Sequence, residues 1–160
     1  MPLKFNIRHL EQKNVSLKGE LATSELEIEQ LDEVIHTRQP LFYDLEVQKL
    51  ENALLVQGSL RLNLECECVR CLKVFRHQLA LDAWACHLPL QGEDKVQMIN
   101  DMVDLTPYIR EDIVLSLPQH PLCEPECKGL QSPLKGLASG GLEKQKPPPS
   151  AWAELNKLKL

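Results

Sequence analysis

Apolar and polar residues alternate through much of the first half of the chain, which predicts β-strands rather than helices. The clearest alternation is carried by even-numbered positions: Leu54, Val56, Gly58, Leu60, Leu62 and Leu64. Side chains two residues apart lie on the same face of a strand, so this run predicts one buried face. Arg61, Asn63 and Glu65 point the other way and predict a solvated face.

Two further alternating runs flank this strand. Residues 42–50 precede it, and Glu51-Asn52 is a plausible turn, so the two segments are predicted to form a hairpin. A second run follows, with six residues predicted to share one face: Phe75, His77, Leu79, Leu81, Ala83 and Ala85. Residues 68–73 would then form the turn between two strands. Residues 24–36 are compatible with a short helix or an irregular loop.

One helix is predicted over residues 106–117. Thr106 is a good N-cap and Pro107 suits the first helical position. Ile109, Ile113 and Leu117 follow at helical spacing on one face. Pro118 would end the helix.

The C-terminal part changes character after residue 128. Residues 129–150 are rich in Gly, Pro, Ser and Lys, which predicts a flexible basic linker. Residues 151–160 place Trp152, Leu155 and Leu158 at steps of three, as in a short amphipathic helix. Such a short helix is marginal alone and needs to dock on the body or on a partner. We therefore expect a single domain at 1–128, a linker at 129–150 and a terminal docking helix at 151–160.

These elements together indicate an α+β fold. The expected architecture is a mostly antiparallel sheet of about five to seven strands, with barrel-like closure as one option, carrying one short helix. The 160 residues are enough to bury a core without a metal or disulfides.

Charge is unevenly distributed along the chain. The formal net charge is −5, but residues 128–160 carry six lysines against two glutamates, a local charge of +4. The body is therefore acidic, which argues against a protein that wraps nucleic acid over its whole surface. Any RNA contact is expected first in the basic tail, at Lys128, Lys144 and Lys146.

The sequence also limits the cellular compartment and the class of chemistry that we expect. The N-terminus has no signal-peptide pattern and no stretch approaches the length of a membrane span, so we expect a cytoplasmic protein with reduced cysteines. No phosphate loop, nucleophile elbow or H-E-x-x-H motif is present, which favours a non-enzyme without a small-molecule substrate.

Two cysteine pairs carry the strongest chemical signal. Cys68 and Cys71 are spaced C-x2-C, Cys123 and Cys127 are spaced C-x3-C, and 51 residues separate the pairs. Four thiolates can hold one structural Zn²⁺ ion, which would tie the middle of the chain to a point near its C-terminus. Inert buried thiols are an equally open interpretation. A dithiol redox role for the first pair is a third, although this turn lacks the helix N-terminus that often lowers a thiol pKa.

The remaining candidates are weaker. Cys66 and Cys86 are interpreted as packing residues, and His120 as a surface residue near the second pair. Arg70 and Lys73 flank the first pair and offer two basic groups for a phosphate, but a solvated turn would also contain them.

The motifs in this order resemble one family. They are Cys68-Val-Arg-Cys71-Leu72, Val103-Asp104-Leu105, Ile109-Arg110-Glu111-Asp112-Ile113, Pro121-Leu122-Cys123, Cys127-Lys128-Gly129-Leu130 and Ala151-Trp152-Ala153-Glu154-Leu155. The chain resembles the bacterial YceD-like family of large ribosomal RNA subunit accumulation proteins, long described as a domain of unknown function. The resemblance implies a cytoplasmic, non-catalytic factor that supports accumulation or processing of large-subunit rRNA.

The chain departs from the family pattern at one point. Family members often place a further cysteine knuckle after the second pair, whereas Gln131-Ser132-Pro133 follows Leu130 here. Either the four cysteines suffice for a metal or the metal has been lost. The expected partners are a large-subunit rRNA precursor, a ribosomal protein, or both. The alternative is a zinc-stapled protein-interaction module without RNA contact.

Overall fold

The computed structural model describes residues 2–130, which form eight β-strands, one 3-10 helix and one α-helix. The strands are β1 (Lys4–Asn6), β2 (Val15–Leu21), β3 (Ile35–His36), β4 (Leu41–Lys49), β5 (Ala53–Glu67), β6 (Val74–Pro89), β7 (Met98–Ile99) and β8 (Met102–Asp104). The helices are the 3-10 helix Ile7–Glu11 and α1 (Thr106–Ser116). The predicted linker after residue 130 and the predicted terminal helix at 151–160 lie outside the described residues.

The strands form two antiparallel sheets. In the larger sheet β5 is central: β6 pairs along its whole length on one side, and β4 and β3 pair with it on the other. β2 extends this sheet beyond β4, and β1, β8 and β7 form the smaller sheet. The prediction of a mostly antiparallel α+β fold is confirmed. Barrel-like closure is wrong, because β2 and β6 remain on opposite edges of an open sheet.

The strand predicted at residues 54–64 is β5, and its predicted apolar face is buried. Leu54, Val56, Leu60, Leu62 and Leu64 are at most 1% exposed. The chain reverses between Lys49 and Ala53, so the predicted hairpin with residues 42–50 is also confirmed.

The predicted face of β6 is correct in its first half and wrong in its second. The register changes between Gly58 and Leu60 of β5, where β6 contributes one residue more than its partner. A bulge of this kind moves the following side chains to the opposite face. Ala83 and Ala85 are therefore exposed, and Trp84 takes the buried position instead.

Helix α1 packs Ile109 and Ile113 into the core, as predicted. Its N-terminus differs from the prediction. Thr106 lies inside the helix, and its hydroxyl accepts a hydrogen bond of 2.9 Å from the main-chain N–H of Leu3. Asp104 instead accepts the main-chain N–H of Thr106 at 2.9 Å. The predicted N-cap thus ties the N-terminal strand to the helix.

The segment between β2 and β3 forms consecutive turns rather than a helix. It still contributes to the core, since Leu26 and Ile28 are buried. Arg110 of α1 donates a hydrogen bond of 2.8 Å to the carbonyl oxygen of Leu26. This contact holds the loop against the helix that leads toward the second cysteine pair.

Candidate metal centre

The first cysteine pair lies in the turn that connects β5 to β6. The main-chain N–H of Cys68 donates to the carbonyl of Lys73 at 2.9 Å, and Leu72 N–H donates to the carbonyl of Cys68, also at 2.9 Å. Leu72 closes the turn with a φ of 63°, a left-handed conformation unusual for a leucine. The turn therefore directs Cys68 and Cys71 toward the same side.

The second cysteine pair follows helix α1. Its segment is joined to the first turn by two hydrogen bonds: Val69 N–H donates to the carbonyl of Pro121 at 3.0 Å, and the Arg70 side chain donates to the carbonyl of Cys127 at 3.0 Å. The chain between the pair turns back on itself, with Cys127 N–H donating to the carbonyl of Glu124 at 3.1 Å. The predicted juxtaposition of the two cysteine segments is confirmed.

The four sulfur atoms lie within 4.8 Å of one another. The sulfur of Cys68 is 3.7 Å from that of Cys127, and the sulfur of Cys71 is 3.5 Å from that of Cys123. In a tetrahedral zinc–thiolate site with Zn–S bonds of about 2.3 Å, neighbouring sulfurs are about 3.8 Å apart. The cluster can therefore hold one metal ion.

The pKa values of Cys68 and Cys123 are shifted in opposite directions. Burial alone would raise the pKa of Cys68, but main-chain N–H groups of Cys123, Cys71 and Arg70 outweigh it and lower this pKa to about 6. Hydrogen bonding to Cys71, together with burial, raises the pKa of Cys123 to about 12. The lowered pKa favours the thiolate form of Cys68, which is the form that binds a metal ion, and a bound cation would displace the protons of the other thiols.

The other cysteines lie outside this cluster. Cys66 is fully buried on the core face of β5, as predicted. Cys86 is half-buried, and burial together with Asp112 and Glu111 raises its pKa to about 11. His120 is exposed and is not among the clustered ligands of residues 2–130. These side chains keep the packing and surface roles predicted for them.

The predicted partner-binding residues are distributed between two parts of the chain. Arg70, Lys73 and Lys128 are exposed around the cysteine cluster, although Arg70 also braces it through the carbonyl of Cys127. The other predicted contacts lie outside the described residues: Lys144, Lys146, Trp152, Leu155 and Leu158.

A set of exposed apolar side chains around the cluster was not predicted from the sequence. Leu72 is 55% exposed and Val74 is 71% exposed, and Val69 and Leu130 are exposed as well. The alternation along β6 contained a signal for Val74, since it shares the parity of the polar residues Arg76 and Gln78.

The sequence profile described as "Large ribosomal RNA subunit accumulation protein YceD" matches residues 56–159. The chain belongs to the YceD family. The resemblance carried by the cysteine motifs is therefore confirmed, and the matched region includes β5, β6, α1 and both cysteine pairs. The family description names a role in rRNA accumulation and no reaction.

The chain is also similar to a protein of Mycobacterium leprae that is described only as uncharacterized. The two are 30% identical over 105 residues, which is 61% of this chain and 48% of the relative. The chain thus spans about half the length of the curated relative it matches. No solved structure matches the chain. Within residues 2–130 neither helix is long and apolar enough to cross a bilayer.

Proposed function

We propose that this YceD-family protein is a non-catalytic factor that supports accumulation of large-subunit rRNA by binding pre-rRNA, a ribosomal protein, or both. The observation that carries the proposal is the family match over residues 56–159. The open, mostly polar face of the larger sheet and the basic groups around the cysteine turn provide surfaces for such partners. The proposed site of action is the cytoplasm, where ribosomes are assembled.

In this proposal the cysteine cluster binds a structural Zn²⁺ ion. Four thiolates fill all positions of a tetrahedral ion and leave none for a substrate, which suits a structural role rather than catalysis. The ion would fix the β5–β6 turn against the segment after α1, two points 52 residues apart for the Cys71–Cys123 contact. The basic residues Arg70, Lys73 and Lys128 would then hold a constant arrangement for a partner.

Sedimentation of cell extracts tests the proposed function. We expect the tagged full-length protein to co-migrate with large-subunit precursors at low salt, and a deletion strain to contain less large-subunit rRNA relative to small-subunit rRNA. A protein found only at the top of the gradient, combined with normal rRNA levels in the deletion strain, would overturn the proposal.

A second function is favoured by the exposed apolar residues around the cluster: Val69, Leu72, Val74 and Leu130. A zinc-stapled turn that presents such side chains is suited to binding another protein without RNA contact. The dependence of binding affinity on salt concentration distinguishes the two functions. Release of counterions makes RNA affinity fall steeply with salt, whereas apolar docking depends on it weakly.

Leu72 provides the matched variant for this comparison. Leu72→Asp should abolish binding of a protein partner that docks on the apolar side chains. The affinity for RNA should fall only by the small amount that one added negative charge causes. An RNase-treated extract distinguishes the cases directly, because only a protein-bound complex survives the treatment.

A further inference from the structure

The solvated face of the larger sheet carries an exposed aromatic ring beside an arginine. Phe42 of β4 lies opposite Arg61 of β5, and Arg61 lies opposite Ala80 of β6. Phe42 is 43% exposed although its neighbours in sequence, Leu41 and Tyr43, are buried or half-buried. Single exposed apolar residues are common on protein surfaces, so the meaning of this ring depends on the groups around it.

Next to this row the sheet face forms a groove of about 530 Å³. Polar side chains of three segments line it: Arg38, Gln39, Asn63, Glu65, Arg76 and Gln78. Arg38 and Gln39 come from the loop before β4, and the rest come from β5 and β6. The groove therefore has a rigid floor made of paired strands.

The groove contains hydrogen-bonding groups suited to a nucleobase. The side-chain amide of Asn63 donates to the side-chain carbonyl of Gln39 at 2.8 Å. This leaves the Asn63 carbonyl and the Gln39 amino group to bind a ligand. Amide groups of this type match the donor and acceptor pattern on the edges of unpaired bases, and an aromatic ring such as Phe42 is the usual stacking platform.

The arginines supply contacts for phosphate. Arg76 has no ion-pair partner among residues 2–130. Arg38 faces Glu65 at 3.3 Å and Arg61 faces Asp82 at 3.4 Å, in exposed pairs. Exposed pairs of this kind are weak and can exchange a carboxylate for a phosphate at little cost. Arg61 thus lies beside the aromatic ring, and Arg38 and Arg76 line the groove together with the amides.

The occupant that fits is a short single strand. From the Phe42–Arg61 row to the Glu65–Arg76 row, β5 advances four residues, about 13 Å, which is room for about two to three nucleotides. Carboxylates outnumber Lys and Arg over the described residues as a whole, so an extended duplex would meet repulsion beyond the groove. The face also lacks the apolar centre of a stable protein interface.

We propose that the sheet face around Phe42, Arg61, Asn63 and Arg76 binds a single-stranded segment of RNA. This inference rests on the proposed function and specifies its contact surface. The face is continuous with Val74 at the start of β6 and with Lys73 just before it, so an RNA strand leaving the groove would pass the cysteine turn.

Fluorescence anisotropy of the full-length protein with a labelled 12-nucleotide single-stranded RNA tests the surface. We expect Phe42→Ala and Arg76→Glu each to weaken binding on the order of tenfold, because stacking and phosphate contacts contribute separately. Phe42→Leu should weaken it nearly as much, since it keeps the apolar area and loses the ring. Lys49→Glu is the matched control: it reverses an exposed charge at the far end of β4, about 23 Å from Phe42, and should bind within about twofold of the wild type.

The outcomes distinguish failure of the proposed RNA-binding surface from failure of the proposed function. Wild-type binding by Phe42→Ala and Arg76→Glu, or equal weakening by Lys49→Glu, would overturn the surface. If the wild-type protein does not bind the labelled RNA yet co-sediments with precursors, the proposed RNA-binding surface is wrong and the proposed function stands. If Phe42→Ala loses RNase-resistant co-sedimentation instead, the occupant is a protein. Thermal unfolding of each variant by circular dichroism confirms that these exposed substitutions leave the fold intact.

Discussion

The indole N–H of Trp84 donates a hydrogen bond of 2.6 Å to a carboxylate oxygen of Asp112. The bond joins β6 just after its bulge to a half-buried side chain of helix α1, and the bulge is what turns Trp84 inward. It therefore sets the position of the helix that leads to the second cysteine pair.

We expect Asp112→Ala to lower the free energy of unfolding by about 2 kcal/mol, the usual effect of losing a hydrogen bond to a charged group with a buried partner. Urea unfolding followed by far-UV circular dichroism measures this. Glu111→Ala, a neighbouring exposed carboxylate, serves as the control and should change stability by less than about 0.5 kcal/mol. Equal stability of the two variants would contradict a role for the Trp84 contact.

Gly58 of β5 lies opposite Leu45 of β4, at a point with no space for a side chain. A Cβ atom there would overlap the main-chain oxygen of Asp44. Because that atom is backbone within a paired strand, the sheet itself must shift, and Gly58→Ala should cost on the order of 3 kcal/mol or more. Gly92→Ala is the control, since no heavy atom lies within 4 Å of the position that its added methyl group would take and only its φ of 96° opposes the change. Similar melting temperatures for both variants would contradict the crowding argument.

The cysteine cluster predicts a definite metal stoichiometry. The wild-type protein should contain about one zinc per chain, and Cys123→Ser should lose it and unfold at a lower temperature, because three ligands no longer complete a structural site. Elemental analysis of protein purified without chelators gives the content, and absorption after cobalt substitution reports the thiolate geometry. Cys86→Ser, outside the cluster, should retain the metal. Absence of zinc from wild type and variant alike would refute the site.

Cys86 predicts a pH dependence that is independent of any metal. Burial and the nearby Asp112 and Glu111 raise its pKa from 9.0 to about 11. The folded protein then holds a proton that the unfolded chain releases, so this contribution to stability is complete below about pH 9 and is lost as the pH rises toward 11. Stability measured across this window should fall less steeply in Cys86→Ala.

In the native wild type at pH 9, iodoacetamide should modify Cys86 more slowly than after unfolding. Equal rates before and after unfolding would contradict the raised pKa.

The predictable part of this structure is the part governed by local periodicity. The parity of Leu54 to Leu64 identified the buried face of β5, since side chains two apart share a face whatever the partner strands are. The turn between β5 and β6 followed from the two runs that flank it. The spacing of the four cysteines was sufficient to predict that two distant segments of the chain lie together.

What escaped prediction depends on contacts between segments. The bulge in β6 places Asp82 and Ala83 opposite the single residue Ser59 of β5. Small alanines tolerate either face, so the pattern gave no warning. Thr106 had the composition of an N-cap, but its hydroxyl is taken by Leu3, 103 residues away in sequence. The groove near Phe42 likewise requires a loop and two strands, and no single stretch of sequence contains it.

The long separation of the two cysteine pairs has a consequence for how the chain folds. The contact between Cys71 and Cys123 spans 52 residues, and β6 and α1 lie between the two residues in the sequence. Closing a loop of this length costs conformational entropy that packing of β6 and α1 can offset, so we expect the four sulfurs to meet late in folding. A metal ion that needs all four ligands would bind only chains that have completed the sheet and the helix. Metal uptake would then act as a checkpoint on newly made protein, and its rate would measure the last step of folding.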